Sequence, residues 1–281
     1  MAEDSLFIDV RNALRARYTV EREIGRGGAA RVFFARSTTG EPVALKVLYP
    51  QLLISVTASR FLREVRLIRR LDHPNIAHLI DSGDEGGFVY YAMSYAEGPT
   101  LRDALRRVRS LTFADTTRVA RDLLDALAHA HANHVMHRDL KPENVVLADD
   151  RVILLDFGIA RALEESTEPG ITRSGVSVGT CNYMSPEQIG AEKTQDYRTD
   201  LYSLGVVLYE CLTGSVPFAD KAESAVLRRH LTEEPAPIRT LRPDTPALLA
   251  EAIERAMRKQ AADRWPSAAA MKRALESEAF V

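Results

Sequence analysis

The stretch His137-Arg138-Asp139-Leu140-Lys141-Pro142-Glu143-Asn144 is followed by Val145-Val146-Leu147, a polar spacer Ala148-Asp149-Asp150-Arg151, then Val152-Ile153-Leu154-Leu155 and Asp156-Phe157-Gly158. Two short apolar runs around a polar turn read as a hairpin of two strands. A hairpin holds its ends close, so Asp139 and Asn144 at one end are expected to face Asp156 at the other. Three oxygen-bearing side chains with Lys141 nearby suit a magnesium ion and phosphate groups, because Mg²⁺ is held by one or two carboxylates plus substrate phosphates rather than by a closed protein cage. Taken singly the pieces are bland: Asp-Phe-Gly is a common turn tripeptide, and a loop Asp or Asn is usually solvated. The joint order carries the reading.

That order resembles the eukaryotic-type protein kinases, whose catalytic and metal loops read H-R-D-L-x-x-x-N and D-F-G. The resemblance implies that Asp139 orients the substrate hydroxyl and accepts its proton, that Lys141 steadies the γ-phosphate of ATP, and that Asn144 and Asp156 bind Mg²⁺, with Mn²⁺ as the alternative ion. Lys141 after the aspartate, with Gly179-Thr180 before Tyr183, resembles the serine/threonine kinases rather than the tyrosine kinases. The wording Met184-Ser185-Pro186-Glu187-Gln188 resembles the bacterial Hanks-type branch.

Upstream, residues 1–17 carry Leu6, Phe7, Val10 and Leu14 at helical spacing, which predicts a short amphipathic extension packed on the first lobe. From Tyr18 the period becomes strand-like. Ile24-Gly25-Arg26-Gly27-Gly28-Ala29-Ala30-Arg31-Val32 reads as a hairpin with a glycine tip, where backbone N–H groups can approach phosphate closely. It resembles the kinase loop G-x-G-x-x-G-x-V, with Gly25, Gly27 and Val32 in place and Ala30 at the third glycine, a change that stiffens the tip. Lys46 lies inside the apolar strand Pro42–Leu48, costly unless it meets an anion; a snorkelling edge lysine is the plainer alternative. The resemblance assigns Lys46 to the α/β-phosphates and pairs it with Glu64, beside the apolar face (Phe61, Leu62, Val65, Ile68, Leu71) of a helix expected over 58–71. His73-Pro74-Asn75 ends that helix. Strands are expected over 76–81 and 88–93, joined by a turn at 83–87, and 94–99 reads as a linker. By resemblance the linker backbone at Ser94 and Ala96 holds adenine, Met93 guards the deep end, and Ile24, Val32, Ala44 and Val146 form the apolar walls.

The second half is helical, with 3.6-residue periodicity over 101–107 and 116–134. His129, His131, His134 and His137 match no usual zinc spacing. Residues 159–187 form a long Ser-, Thr-, Gly- and Glu-rich segment, and such a segment in a compact domain is functional or disordered. It resembles the kinase activation segment, closing with Ser185-Pro186-Glu187, with Thr172 and Ser174 as the candidate phosphosites and Arg138 as the phosphate receptor, since a guanidinium pairs phosphate bidentately. The nearly apolar run 200–210 predicts a central buried helix with Asp200 as a candidate N-cap; the resemblance adds that Asp200 braces the catalytic loop. It also pairs Arg264 with Glu187. Pro217, Pro235, Pro237, Pro243 and Pro246 punctuate short helices towards the C-terminus.

Composition narrows the field further. The 281 residues are 46% hydrophobic and 27% charged, with net charge −2, enough chain to bury roughly 70–75% of its unfolded surface. The near-neutral balance argues against nucleic acid as a partner, and the arginine clusters around 60–70 and 102–109 read as solvated helix faces. Two cysteines, Cys181 and Cys211, form no disulfide framework or metal-ligand spacing, which fits a reducing cytoplasm. No apolar stretch is long enough to span a membrane within this chain.

The expected fold is α+β: a bilobal protein-kinase fold whose N-lobe is an antiparallel five-stranded sheet plus one main helix and whose C-lobe is mostly helical. The expected divisions are an extension (1–17), an N-lobe and hinge (18–97) and a C-lobe (98–281). The expected function is ATP-dependent phosphorylation of protein serine and threonine, including the chain's own activation loop, with self-association for the reaction in trans. A pseudokinase or ATP-binding scaffold would keep the fold without the chemistry, but Lys46, Asp139, Asn144 and Asp156 are all intact. A small-molecule phosphotransferase of this fold would not need the peptide-docking segment 179–187.

Overall fold

A computed structural model describes residues 5–28, 30–49, 58–157, 180–192 and 195–276, without the side chains of Arg60, Glu64, Leu67 and Thr180. The described residues fall into two compact units. The first takes the described residues within 5–72 and 77–96, the second those within 73–76, 97–157 and 180–276.

In the first unit the chain runs α1 (Ser5–Ala13), β1 (Tyr18–Arg26), β2 (Ala30–Ser37), β3 (Pro42–Leu48), α2 (Ala58–Ile68), β4 (Leu79–Glu85) and β5 (Phe88–Ser94). The strands form one antiparallel sheet in the order β1-β2-β3-β5-β4. Side chains alternate between faces along a strand, and this sorts them into two sets. Phe33, Ala35, Val43, Leu45, Val47, Tyr90 and Ala92 join Val10 and Leu14 in one buried cluster. The amphipathic extension therefore belongs to the core of this unit: α1 lays its apolar stripe on the sheet, with Phe7 5.9 Å from Phe33. On the opposite face Val32 stands across from Lys46, Ala44 from Met93, and Lys46 from Tyr91, and directly opposed residues share a face. Tyr91 meets Phe61 of α2 at 6.2 Å there.

Two elements of this unit differ in extent from the sequence reading. The helix expected over 58–71 stops at Ile68, where Arg69 and Arg70 turn and the Leu71 N–H donates to the Ile68 carbonyl at 2.9 Å. The strand expected over 76–81 begins at Leu79 and continues through Glu85. It can continue because the turn needs only Gly86 (φ +58°) and Gly87 (φ +81°), two left-handed residues matching a tight hairpin between Glu85 and Phe88.

The second unit contains α3 (Leu101–Val108), α4 (Phe113–Ala132), a 3₁₀ turn (Pro142–Asn144), β6 (Val145–Leu147), β7 (Val152–Leu154), a second 3₁₀ turn (Thr180–Tyr183), α5 (Pro186–Ile189), α6 (Arg198–Thr213), α7 (Glu223–Thr232), α8 (Ile238–Leu241), α9 (Ala247–Ala256) and α10 (Ala268–Glu276). Thr100 and Asp103 form a capping box for α3. Thr112 caps α4, its hydroxyl accepting from the Asp115 N–H at 3.0 Å, so α4 starts three residues before its apolar periodicity. The run from Thr199 to Leu212 is buried throughout, and α6 is the axis of this unit. Gly205 permits its closest packing: a Cβ there would lie 2.8 Å from Met257 Cγ. The α+β architecture, a five-stranded antiparallel sheet with one main helix followed by a largely helical half, is as expected.

Candidate active site

The expected hairpin β6–β7 forms, with Val145 opposite Leu154 and Leu147 opposite Val152. The Leu155 N–H donates to the Asn144 carbonyl at 2.8 Å, so the residue preceding Asp156 is tied to Asn144. Asp139 is held on both oxygens by Lys141 Nζ, at 3.0 and 2.8 Å. Asn144 Nδ2 donates to the Asp139 carbonyl at 2.8 Å and to Oδ2 at 3.2 Å. Asn144 is thereby oriented with its amide nitrogen on Asp139, and its Oδ1 is the atom a cation would use. One amide oxygen and the Asp156 carboxylate fit Mg²⁺, which takes few protein oxygens and completes its shell with phosphate and water.

Beneath the loop lies a polar brace. His137 is fully buried. Its Nδ1 accepts from the Asp139 N–H at 3.2 Å, so Nε2 carries the proton and donates to the Leu155 carbonyl at 2.8 Å. Its ring meets Phe157 edge-on at 4.8 Å. The Asp200 carboxylate, 1% exposed, accepts from the His137 N–H (2.9 Å), the Arg138 N–H (2.8 Å) and His131 Nε2 (2.8 Å). Burial alone would raise its pKa; the hydrogen bond and charge of His131, with the loop N–H groups, outweigh it and hold the pKa below the usual aspartate value. Asp200 is not the N-cap of α6 as expected from sequence. The helix starts at Arg198 after Tyr197, and Asp200 sits in its first turn, drawn to the loop's N–H groups instead of its own. Arg138 (φ +66°) and Asp156 (φ +59°) are both left-handed, a conformation that costs a non-glycine residue about 1–2 kcal/mol and recurs at functional sites.

The other histidines are occupied in packing. His134 Nδ1 meets the Tyr197 hydroxyl at 3.1 Å, and the His129 ring lies 5.1 Å from that of His73. Among the described residues no three His, Cys, Asp or Glu side chains are grouped as a metal cage.

In the first unit, Lys46 sits half-buried with Nζ 5.9 Å from the Tyr91 ring centre. Val32 and Ala44 are half-buried on the same sheet face, and Ile24 is 36% exposed. Gly25 is paired with Val32, and the Gly27 N–H closes the hairpin on the Ala30 carbonyl at 2.9 Å. Met93 is buried, and the Ser94 N–H is committed to the His78 carbonyl at 2.9 Å, while Ala96 follows in the linker. Val146, in the second unit, is 4% exposed. The Glu64 side chain, Thr172 and Ser174 lie outside the described residues.

The end of the segment 159–187 is anchored more elaborately than its sequence suggests. Glu187 pairs with Arg264 at 2.7 and 2.8 Å and accepts from Thr199 Oγ1 at 2.7 Å. Arg264 spends its remaining N–H donors on the carbonyls of Arg258, Arg198 and Lys259. A second hub is Arg102 of α3. It donates to Glu143 in the 3₁₀ turn beside Asn144 (2.8 Å), to Glu210 of α6 (2.7 Å) and to the Tyr183 hydroxyl, which in turn donates to Glu210 at 2.6 Å. Nothing in the text around Arg102, one arginine among several on α3, marks it as different.

The family described as "Protein kinase domain" matches residues 18–273. The chain belongs to the protein kinase family. This kinase domain is 41% identical over 274 residues to serine/threonine-protein kinase pkn3 of Myxococcus xanthus, covering 93% of this chain and 50% of that protein. It is 37% identical to a probable serine/threonine-protein kinase PknB of Bifidobacterium longum (91% and 39%) and 39% identical to serine/threonine-protein kinase PknD of Mycobacterium tuberculosis (89% and 38%). The chain therefore spans half or less of the length of these bacterial relatives. No helix among the described residues is long and apolar enough to cross a membrane.

Proposed function

We propose that this kinase domain transfers the γ-phosphate of ATP to serine and threonine hydroxyls of proteins. The observation that carries the reading is the Asp139 carboxylate, gripped by Lys141 and Asn144 above the His137–Asp200 brace. A fixed proton acceptor beside a fixed cation is what phosphoryl transfer asks of the protein, whose task is positioning and charge compensation. Asp139 orients the acceptor hydroxyl and takes its proton, while Lys141 steadies the γ-phosphate. Lys46, with Glu64 as its partner, holds the α/β-phosphates under the Gly25–Gly27 turn. Ile24, Val32, Ala44, Met93, Ser94, Ala96 and Val146 receive the adenosine. Asn144 and Asp156 would hold Mg²⁺, or Mn²⁺ on the same oxygen donors, and the ion would neutralise charge on the phosphates.

The proposal extends to regulation. Thr172 and Ser174 are the sites at which a second copy of the chain phosphorylates the activation segment, with Arg138 receiving the phosphate. The working compartment is the cytoplasm, where the buried thiols of Cys181 and Cys211 stay reduced.

Asp139→Asn tests the core of this reading. It keeps the side chain's shape and removes its basicity, so transfer should fall by about 10²–10⁴-fold with ATP affinity unchanged within a few-fold. Unaltered turnover would refute the role assigned to Asp139. ATP binding by the parent chain without any transfer would instead favour a scaffold.

A further inference from the structure

The peptide unit joining Arg138 to Asp139 is held from both sides. Arg138 is left-handed at φ +66°, so its conformation must be imposed by partners. Its N–H donates to Asp200 Oδ1 at 2.8 Å. On the far side of the residue, its carbonyl oxygen accepts from Gln188 Nε2, also at 2.8 Å. The same peptide's N–H, that of Asp139, donates to His137 Nδ1 at the longer distance of 3.2 Å.

Gln188 is the third residue of α5 and serves as half of its capping box. Its Oε1 accepts from the Ser185 N–H at 3.1 Å, and its own N–H donates to Ser185 Oγ at 3.4 Å. These contacts fix the amide's orientation, because a flipped amide would set oxygen against the Arg138 carbonyl and NH₂ against the Ser185 N–H. A capping box needs only an acceptor at this position, and glutamate fills it as well as glutamine does. The donor half of the amide is surplus to the cap, and its partner is the Arg138 carbonyl.

We infer that Gln188 is a positioning residue for the kinase reaction: from the first turn of α5 it fixes the Arg138–Asp139 peptide plane and thereby the direction of the Asp139 carboxylate. Rotation of that plane swings the Cα–Cβ bond of Asp139, and Gln188 anchors its oxygen while His137 anchors its N–H. Seating of the Ser185-Pro186-Glu187 segment is in this way coupled to the aim of Asp139 through the next residue in the chain. The inference rests on the role proposed above for Asp139.

Two variants of the chain separate the two halves of the amide. Gln188→Glu keeps the acceptor for Ser185 and replaces the donor with an oxygen facing the Arg138 carbonyl. Gln188→Met removes both. The expected result is that kcat falls about tenfold in each, the loss of one well-placed hydrogen bond, with the KM for ATP and the melting temperature of Gln188→Glu close to those of the parent. Deuterium exchange at the Arg138 and Asp139 amides should quicken about tenfold in both variants, by the same reasoning. If Gln188→Glu keeps parental kcat and parental exchange, the inference is overturned, and a slow Gln188→Met would then report the helix cap alone. If the parent transfers no phosphate, the reading of Asp139 fails, yet the exchange measurement still decides whether Gln188 holds this peptide.

Discussion

Replacing Arg264 with methionine should be among the most destabilising single changes available to this domain, and its size can be worked from the contacts. The Arg264 side chain is 0% exposed and that of Glu187 9%. All five guanidinium N–H groups are used, two on Glu187 and three on main-chain carbonyls. Methionine fills much of the volume but leaves Glu187 buried, with Thr199 as its one remaining side-chain partner among the described residues. Removing one member of a buried pair typically costs about 3–5 kcal/mol, and a domain of this size shifts by roughly 2–4 °C per kcal/mol. The melting temperature should therefore drop by about 6–20 °C. Burial alone would raise the Glu187 pKa, but Arg264 and Thr199 outweigh it and hold it below the ordinary glutamate value of 4.5. A depressed carboxylate contributes stability that is present above its unfolded pKa and lost as pH falls through the folded value, so the deficit of Arg264→Met should shrink below about pH 4.5. Differential scanning calorimetry of Arg264→Met, Glu187→Leu and the double variant closes the cycle. The double variant should melt well above the sum of the single losses, because it leaves no uncompensated charge. Single variants that melt within about 2 °C of the parent, or losses that simply add, would refute the reasoning.

Two further outcomes follow from buried polar groups. His230 is fully buried, with Tyr202 at 2.8 Å on Nδ1, and burial, then the positive charges of Lys259 and Arg229, push its pKa down to about 4 from 6.5. The unfolded chain takes up a proton between those values that the folded chain does not, so this contribution is complete above pH 6.5 and lost towards pH 4; His230→Gln should flatten the stability slope between pH 5 and 6.5 by up to about 1.4 kcal/mol per pH unit, and an unchanged slope in urea titrations would count against it. Arg102→Met leaves Glu143 and the buried Glu210 without their shared cation, so urea unfolding should register a loss of about 2–4 kcal/mol. A loss under about 0.5 kcal/mol would mean that the hub contributes nothing to folding.

Much of the domain was legible in the residues themselves. Alternation placed Lys46 within a strand, the paired apolar runs gave the β6–β7 hairpin, and an unbroken apolar stretch marked α6 as the buried axis. The features that escaped are tertiary. Asp200 looked like a helix cap because aspartate before an apolar run usually is one; its choice of the His137 and Arg138 N–H groups depends on a loop that lies 62 or more positions upstream. Arg102 and Glu210 are separated by 108 positions, and no local pattern distinguishes Arg102 from Arg106 or Arg107 on the same helix. Gln188 carries no such mark either, since a glutamine three residues after serine predicts a cap and says nothing of a second partner 50 positions away. Helix and strand ends shifted for a related reason: Gly86 and Gly87 can turn the chain by themselves, which freed Ser82–Glu85 to continue the strand.

The most direct measurement is transfer itself. The chain should be incubated with γ-labelled ATP, Mg²⁺ and a generic protein acceptor, and the labelled protein hydrolysed to its phosphoamino acids. The account predicts phosphoserine and phosphothreonine on the acceptor and on the chain's own Thr172 or Ser174, all reduced at least about 10²-fold by Asp139→Asn. Label that stays in ATP or appears only as free phosphate would contradict it, as would label recovered chiefly on tyrosine.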